Sequence, residues 1–168
     1  MQRKNCTKRS AKPAFIIVYG QGGHAAQANR FMNQVHTQLN KLEILSLSDV
    51  NKKPGWSDFH YVVPEVRHKY SNSFLFTIRS LSSLILMLRS ISNKHKVSTL
   101  LSTGPGVSVV AAIYFKLCGV KIVHIETWSR FETKSFTGRF MYFLADKFYY
   151  QNISLAKKYS RGTFSGCL

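Results

Sequence analysis

At 168 residues the chain is long enough for one domain with its own core and too short for two ordinary ones. Hydrophobic residues make up 45% and charged residues 18%, a globular balance that excludes disorder as the dominant state. The 24 Lys+Arg against 7 Asp+Glu give a formal net charge of +17, which points to an anionic partner: nucleic acid, the negatively charged leaflet of a membrane, or a phosphorylated small molecule.

The chain opens on a basic, polar leader, residues 1–13, expected to be flexible and to precede a single domain over 14–168. The apolar run Phe15 to Tyr19 is too short for the core of a signal peptide, and nothing suggests export. Ala14 to Tyr19 reads as a buried strand ending at Gly20. Ala25 to Asn40 follows with apolar residues at Ala28, Phe31, Met32, Val35 and Leu39, the spacing of one helix face. Leu42 to Leu47 is a second strand, and the three elements make a β-α-β unit whose crossover is right-handed. Ser48 to Ser73 is the least readable stretch, with a turn at Pro54-Gly55 and a strand at His60 to Val63.

Phe74 to Ile91 is the most apolar long segment, yet Arg79, Arg89 and several serines interrupt it. An Arg near the middle of a membrane span costs about 2.5–3.5 kcal/mol on insertion. The segment is therefore expected to be a helix of the domain that touches lipid without crossing it. Val97 to Leu101 reads as a strand, Val107 to Leu117 as a helix stopped by Gly119, and Lys121 to Ile125 as another strand. Thr137 to Ala145 looks helical, Lys147 to Tyr150 extended, and Leu155 to Tyr159 a short helix. The alternation predicts an α/β fold, a Rossmann-like parallel sheet with helices on both faces. Cys6, Cys118 and Cys167 are odd in number and widely spaced, so neither a disulfide framework nor a zinc site follows; a reducing compartment is the default, and no metal or cofactor is expected.

Two loops stand where such a fold carries its chemistry. Gly20-Gln21-Gly22-Gly23-His24 follows the first strand and opens a helix. Glycines there let the backbone bend sharply and bring N–H groups close to a ligand, and a helix N-terminus favours negative charge, so a phosphate or diphosphate is the natural guest. Ser102-Thr103-Gly104-Pro105-Gly106 stands in the same relation to its own strand and helix. Both loops belong at strand C-termini, along one edge of a parallel sheet, where together they line a diphosphate site. Its candidate contacts are Gly20, Gly22, Gly23, Thr103, Gly104 and Gly106, with Arg130 from a later polar stretch. His24 is a candidate general base, a donor to a phosphate oxygen, or a structural hydrogen-bonding residue. Glu126 closes a strand in a chain with few acids; it is a candidate base for a sugar hydroxyl, a ligand acceptor, or an ion-pair partner of Arg130 or another nearby cation. P-loop, zincin and α/β-hydrolase motifs are absent.

With these residues in view the chain resembles the PssD family of bacterial polysaccharide-synthesis proteins. It is similar as well to the membrane-anchoring subunits of the two-subunit N-acetylglucosaminyltransferases of dolichol-linked oligosaccharide assembly. The match is carried by Gly20 to His24, Ser102 to Gly106, Ile125-Glu126-Thr127-Trp128-Ser129-Arg130, and Asp146-Lys147-Phe148 leading to Gln151 and Gly166. Similar loops occur in the acceptor half of MurG-type enzymes. The resemblance implies the N-terminal, acceptor-side half of a split GT-B glycosyltransferase, the UDP-sugar site residing largely on a separate polypeptide. It implies transfer of a sugar from a UDP-sugar to a polyprenyl-diphosphate-linked saccharide at the cytoplasmic membrane face. His24 and Glu126 become the catalytic candidates, and the glycine loops with Arg130 the acceptor-diphosphate contacts. Many relatives start with a hydrophobic anchor, whereas this leader is basic, so attachment is expected to be peripheral, on the inner face of the cytoplasmic membrane. Asn152 stands where relatives often place an aromatic.

Two other readings compete. Gly20-x-Gly22-x-x-Ala25 fits the dinucleotide pattern, with Glu43 at about the right distance for a ribose; Glu43, however, opens its strand, and a ribose would lie at the other end. A nucleic-acid-binding module is favoured by charge alone, and no RNP pattern, zinc finger or recognition helix supports it.

Overall fold

The computed structural model describes residues 12–63 and 74–167. Residues 1–11 of the leader lie outside them, and so does the flexibility expected there; Pro13, assigned to the leader, instead starts the first strand. Residues 64–73 of the least readable stretch also lie outside.

Seven described strands form one sheet: β1 (Pro13–Tyr19), β2 (Glu43–Ser48), β3 (Phe59–Val62), β4 (Lys96–Ser102), β5 (Lys121–Ile125), β6 (Lys147–Tyr150) and β7 (Thr163–Phe164). Their order is β3-β2-β1-β4-β5-β6-β7, and every pairing is parallel. The helices are α1 (Gly23–Val35), α2 (Phe74–Lys94), α3 (Val107–Leu117) and α4 (Phe136–Leu144). This is the doubly wound arrangement that the alternating pattern predicts.

A sheet covered on both faces needs strands that are apolar throughout. In β1, Ala14, Ile16 and Val18 enter the core under α2, α3 and α4, while Phe15, Ile17 and Tyr19 enter the core under α1. Leu84, Leu88 and Ile91 turn one side of α2 onto the sheet, and Ala28 and Met32 do the same for α1. Arg79 and Arg89 lie on the exposed side of α2. No described helix is long and apolar enough to cross a membrane.

Two acids fasten strand starts. Asp58 Oδ2 accepts the Ile44 N–H at 2.8 Å, and Asp146 Oδ2 accepts the Ile122 N–H at 2.7 Å. Each takes an amide that would otherwise be left at the end of the sheet.

The order of strands reverses between β1 and β4. These two are paired, Val18 opposite Ser102, and the helices that follow them leave to opposite faces. Ligands of open α/β sheets bind in the crevice that such a reversal creates.

Two local expectations are corrected, and one strand was not expected. α1 begins at Gly23 and gives way after Val35 to a 3-10 turn, His36–Leu39. Leu155 to Tyr159 does not form an α-helix: a 3-10 turn, Ile153–Leu155, and further turns bring Tyr159 into the core. Five residues with two apolar anchors are too few to nucleate a helix. The short β7 carries no apolar run to announce it.

Candidate functional site

The first glycine loop departs from β1 and the second from β4, so the two meet at the same edge of the sheet. The Thr103 N–H donates to the Val18 carbonyl at 3.1 Å, continuing the pairing past the strand ends. A Cβ built on Gly20 would lie 3.2 Å from Pro105 Cβ, so the loops touch. His24 joins them: its Nδ1 is 2.6 Å from the Thr103 carbonyl oxygen, and Thr103 Oγ1 donates to the His24 carbonyl at 3.3 Å. A carbonyl only accepts, so Nδ1 carries a proton, and in the neutral tautomer this fixes, the lone pair is on Nε2.

Gly22 caps α1 at φ +66° without a side-chain hydrogen bond. The first-turn N–H groups of α1 are consequently left without intrahelical partners, a setting that suits an anion.

Beside this junction lies a cavity of about 600 Å³ lined by Gln21, Gly23, His24, Gly104, Thr127, Trp128, Ser129, Arg130, Ser135, Phe136 and Thr137. Four of the residues expected from the sequence therefore face it together: Gly23, His24, Gly104 and Arg130. Gly20 and the buried Thr103 lie behind them and shape the loops, while Gly22 and Gly106 stand at the N-caps of α1 and α3.

Glu126 sits at the end of β5, wholly buried behind the Thr127 wall. Its Oε1 accepts the Thr127 N–H at 3.0 Å, and its Oε2 accepts the Tyr159 hydroxyl. The pKa of Tyr159 is raised, first by burial and then by this hydrogen bond and the Glu126 charge, so the phenol stays a donor. The carboxylate also abuts the first turn of α4, where the helix dipole favours it. A Cβ on Gly138 would overlap Glu126 Oε2, which explains a glycine inside a helix. The ion pair with Arg130 is not formed; the described pairs are Glu43 with His95 and Lys116 with Asp146.

Several residues in or behind the cavity wall were not among the site candidates. Trp128 lines the cavity with the Arg30 guanidinium stacked 4.7 Å from its ring centroid. Asn152 Nδ2 donates to the carbonyls of Trp128 and Arg130, at 2.8 and 2.6 Å, and so fixes the loop that presents Arg130. Gln151 Nε2 donates to the Glu126 carbonyl at 2.9 Å. Ser135 caps α4 by accepting the Gly138 N–H at 2.8 Å, and the spacing of the two residues was the available signal.

Beneath the second loop His124 is fully buried, its Nδ1 3.0 Å from Ser102 Oγ. Ser102 in turn donates to Ser108 at 2.7 Å, so the imidazole Nδ1–H points at an acceptor and the ring is neutral. Its pKa is lowered to about 3, first by burial and then by the nearby His24.

Glu43 opens β2, and its Oε2 lies 2.6 Å from His95 Nδ1. That is the edge of the sheet opposite the glycine loops, so Glu43 is not placed to meet a dinucleotide ribose.

A parallel sheet of this order, with paired glycine loops and a cavity at its carboxyl edge, defines a Rossmann-like domain. Two solved structures share the architecture. MurG from Acinetobacter baumannii superposes with a TM-score of 0.58 at 16% identity, over 83% of this chain and 41% of that one. The S. aureus MnaA–UDP structure gives a TM-score of 0.57 at 17% identity, over 91% of this chain and 42% of that one. The likeness is one of fold, and the chain spans about two-fifths of either structure. In sequence, the UDP-N-acetylglucosamine transferase subunit ALG14 of Candida albicans is 31% identical over 172 residues, covering 90% of this chain and 76% of that protein. The family model "Oligosaccharide biosynthesis protein Alg14 like" matches residues 15–168, and the chain belongs to that family.

Proposed function

We propose that the chain is the acceptor-binding, membrane-associating subunit of a two-subunit glycosyltransferase. The enzyme moves N-acetylglucosamine from its UDP donor to a polyprenyl-diphosphate-linked saccharide. The observation that carries this reading is the junction of the two glycine loops through His24, opposite Arg130, across one cavity.

In this reading the acceptor diphosphate lies against the N-terminus of α1, with Gly23 and Gly104 allowing close approach and Arg130 neutralising its charge. The free Nε2 of His24 takes the proton of the attacking acceptor hydroxyl; the oxygen forms the new bond to the sugar anomeric carbon as the bond to UDP breaks, and UDP leaves with the electron pair. Glu126 works from behind the wall as a positioning residue, holding the Thr127 amide and Tyr159. The UDP-sugar is supplied by a separate chain, in keeping with the word "subunit" in the names of the relatives. Attachment to the inner face of the cytoplasmic membrane uses exposed Ile78, Leu81, Ile85 and Leu86 of α2, with Arg79 and Arg89 beside them for anionic headgroups.

The test is reconstitution. The chain, its candidate partner half, and the two together are incubated with labelled UDP-N-acetylglucosamine and a polyprenyl-diphosphate saccharide. Transfer by the pair and by neither chain alone is expected. Absence of transfer from a pair that forms a complex overturns the reading.

A further inference from the structure

We infer that the outer face of α4 is the track along which the acceptor's isoprenoid chain leaves the cavity. This rests on the function proposed above and adds a subsite to it. Phe136, Phe140 and Phe143 recur at i, i+4 and i+7, so they share one side of the helix. That side faces away from the core: the three are 74%, 48% and 76% exposed, while Thr137, Gly138 and Met141 turn inward. Three exposed phenylalanines in a row are not explained by packing and mark a contact surface.

Their placement identifies the occupant. Phe136 lines the same cavity as Arg130, and its ring lies 5.0 Å from that of Phe140, so the apolar stripe begins inside the site proposed for the diphosphate. A chain esterified to that diphosphate has to depart from it, and α4 offers a continuous apolar surface from the point of departure. From Phe136 to Phe143 the stripe runs about 10 Å, enough for the first few isoprene units. Arg139, exposed on the same helix, is a charge that suits a diphosphate. No acid lies on α4 to repel it.

The direct test does not need turnover. The chain in complex with its partner half is photolysed with a farnesyl diphosphate carrying a photoreactive group on the isoprenoid, and the labelled peptides are mapped by mass spectrometry. Labelling within residues 136–144, competed by unlabelled farnesyl diphosphate, is expected; labelling confined to α2 or α3 overturns the inference. In the transfer assay, Phe140→Ser combined with Phe143→Ser is expected to raise KM for a long-chain acceptor about tenfold, the consequence of losing one well-buried apolar contact. KM for an acceptor with a single isoprene unit should not move. Equal changes for both acceptors, or loss of the partner half from the complex, overturn the inference by making the stripe a general or inter-subunit contact. Wild-type transfer to the single-isoprene acceptor reports separately on the proposed function: if it is absent while α4 is still labelled, that reading fails and the lipid track stands.

Discussion

Gly104 and His24 are packed so closely that any side chain at position 104 displaces the imidazole. A Cβ there would sit 2.7 Å from His24 Cε1, and the backbone holds φ +113°, a conformation that side chains rarely adopt. The imidazole thus rests against bare backbone, and the loop from β4 sets where its free nitrogen points.

Gly104→Ala therefore strikes the loop twice. The positive φ alone costs about 1–2 kcal/mol, and the ring has to move from the Thr103 carbonyl. A lower urea midpoint is expected, with a loss of transfer larger than the lost stability accounts for. Unchanged kcat/KM in a folded variant would show that ring placement does not matter.

His24→Gln separates proton transfer from architecture. Glutamine can still donate toward Thr103, but it cannot accept a proton at neutral pH. A fall in kcat of about 10²–10⁴-fold is expected, the range of general-base catalysis, with acceptor KM little changed. Full activity would make His24 a structural tie between the loops.

Glu126→Ala and Tyr159→Phe test the buried support. The first leaves the Thr127 N–H and the Tyr159 hydroxyl without their acceptor, at about 1–3 kcal/mol for each group. The second strips one hydrogen bond from the carboxylate. Both are expected to lower the urea midpoint, and the double variant to lose less than the sum. Additive losses would mean that the two side chains do not act as a unit.

His124 makes stability depend on pH. Its folded pKa, lowered to about 3, lies below that of an unfolded histidine near 6.5, so on acidification the unfolded chain takes up the proton first. The contribution is complete above pH 6.5 and is lost toward pH 3, at up to about 1.4 kcal/mol per unit. Urea midpoints at pH 7.5, 6 and 5 should fall for the wild type and fall less for His124→Gln. Parallel curves would rule the residue out as the source.

Both glycine loops, and the edge they share, were legible because glycine after an apolar strand is a local signal and a parallel sheet aligns strand ends. His24 was legible by adjacency to that signal. The ion pair imagined for Glu126 and Arg130 failed because four residues apart in a loop implies nothing about distance, whereas Tyr159, 33 positions away, reaches the carboxylate. Phe136 could not be read, and Trp128 and Asn152 stood out only through the family resemblance, since their contacts arise only when β5, α4 and the end of β6 come together. The turn at Ile153–Leu155 looked like a helix because Leu155 and Tyr159 are one helical turn apart, and tertiary burial of Tyr159 decided the geometry.

The stretch just after β6 behaves as a buttress. Gln151, Asn152 and Tyr159 line no part of the cavity, yet each braces the segment 126–130 that forms its far wall. A nonsense change after Tyr150 would spare all eleven lining residues and still leave that wall unpropped. Damage to such a protein can thus originate downstream of the chemistry it disables.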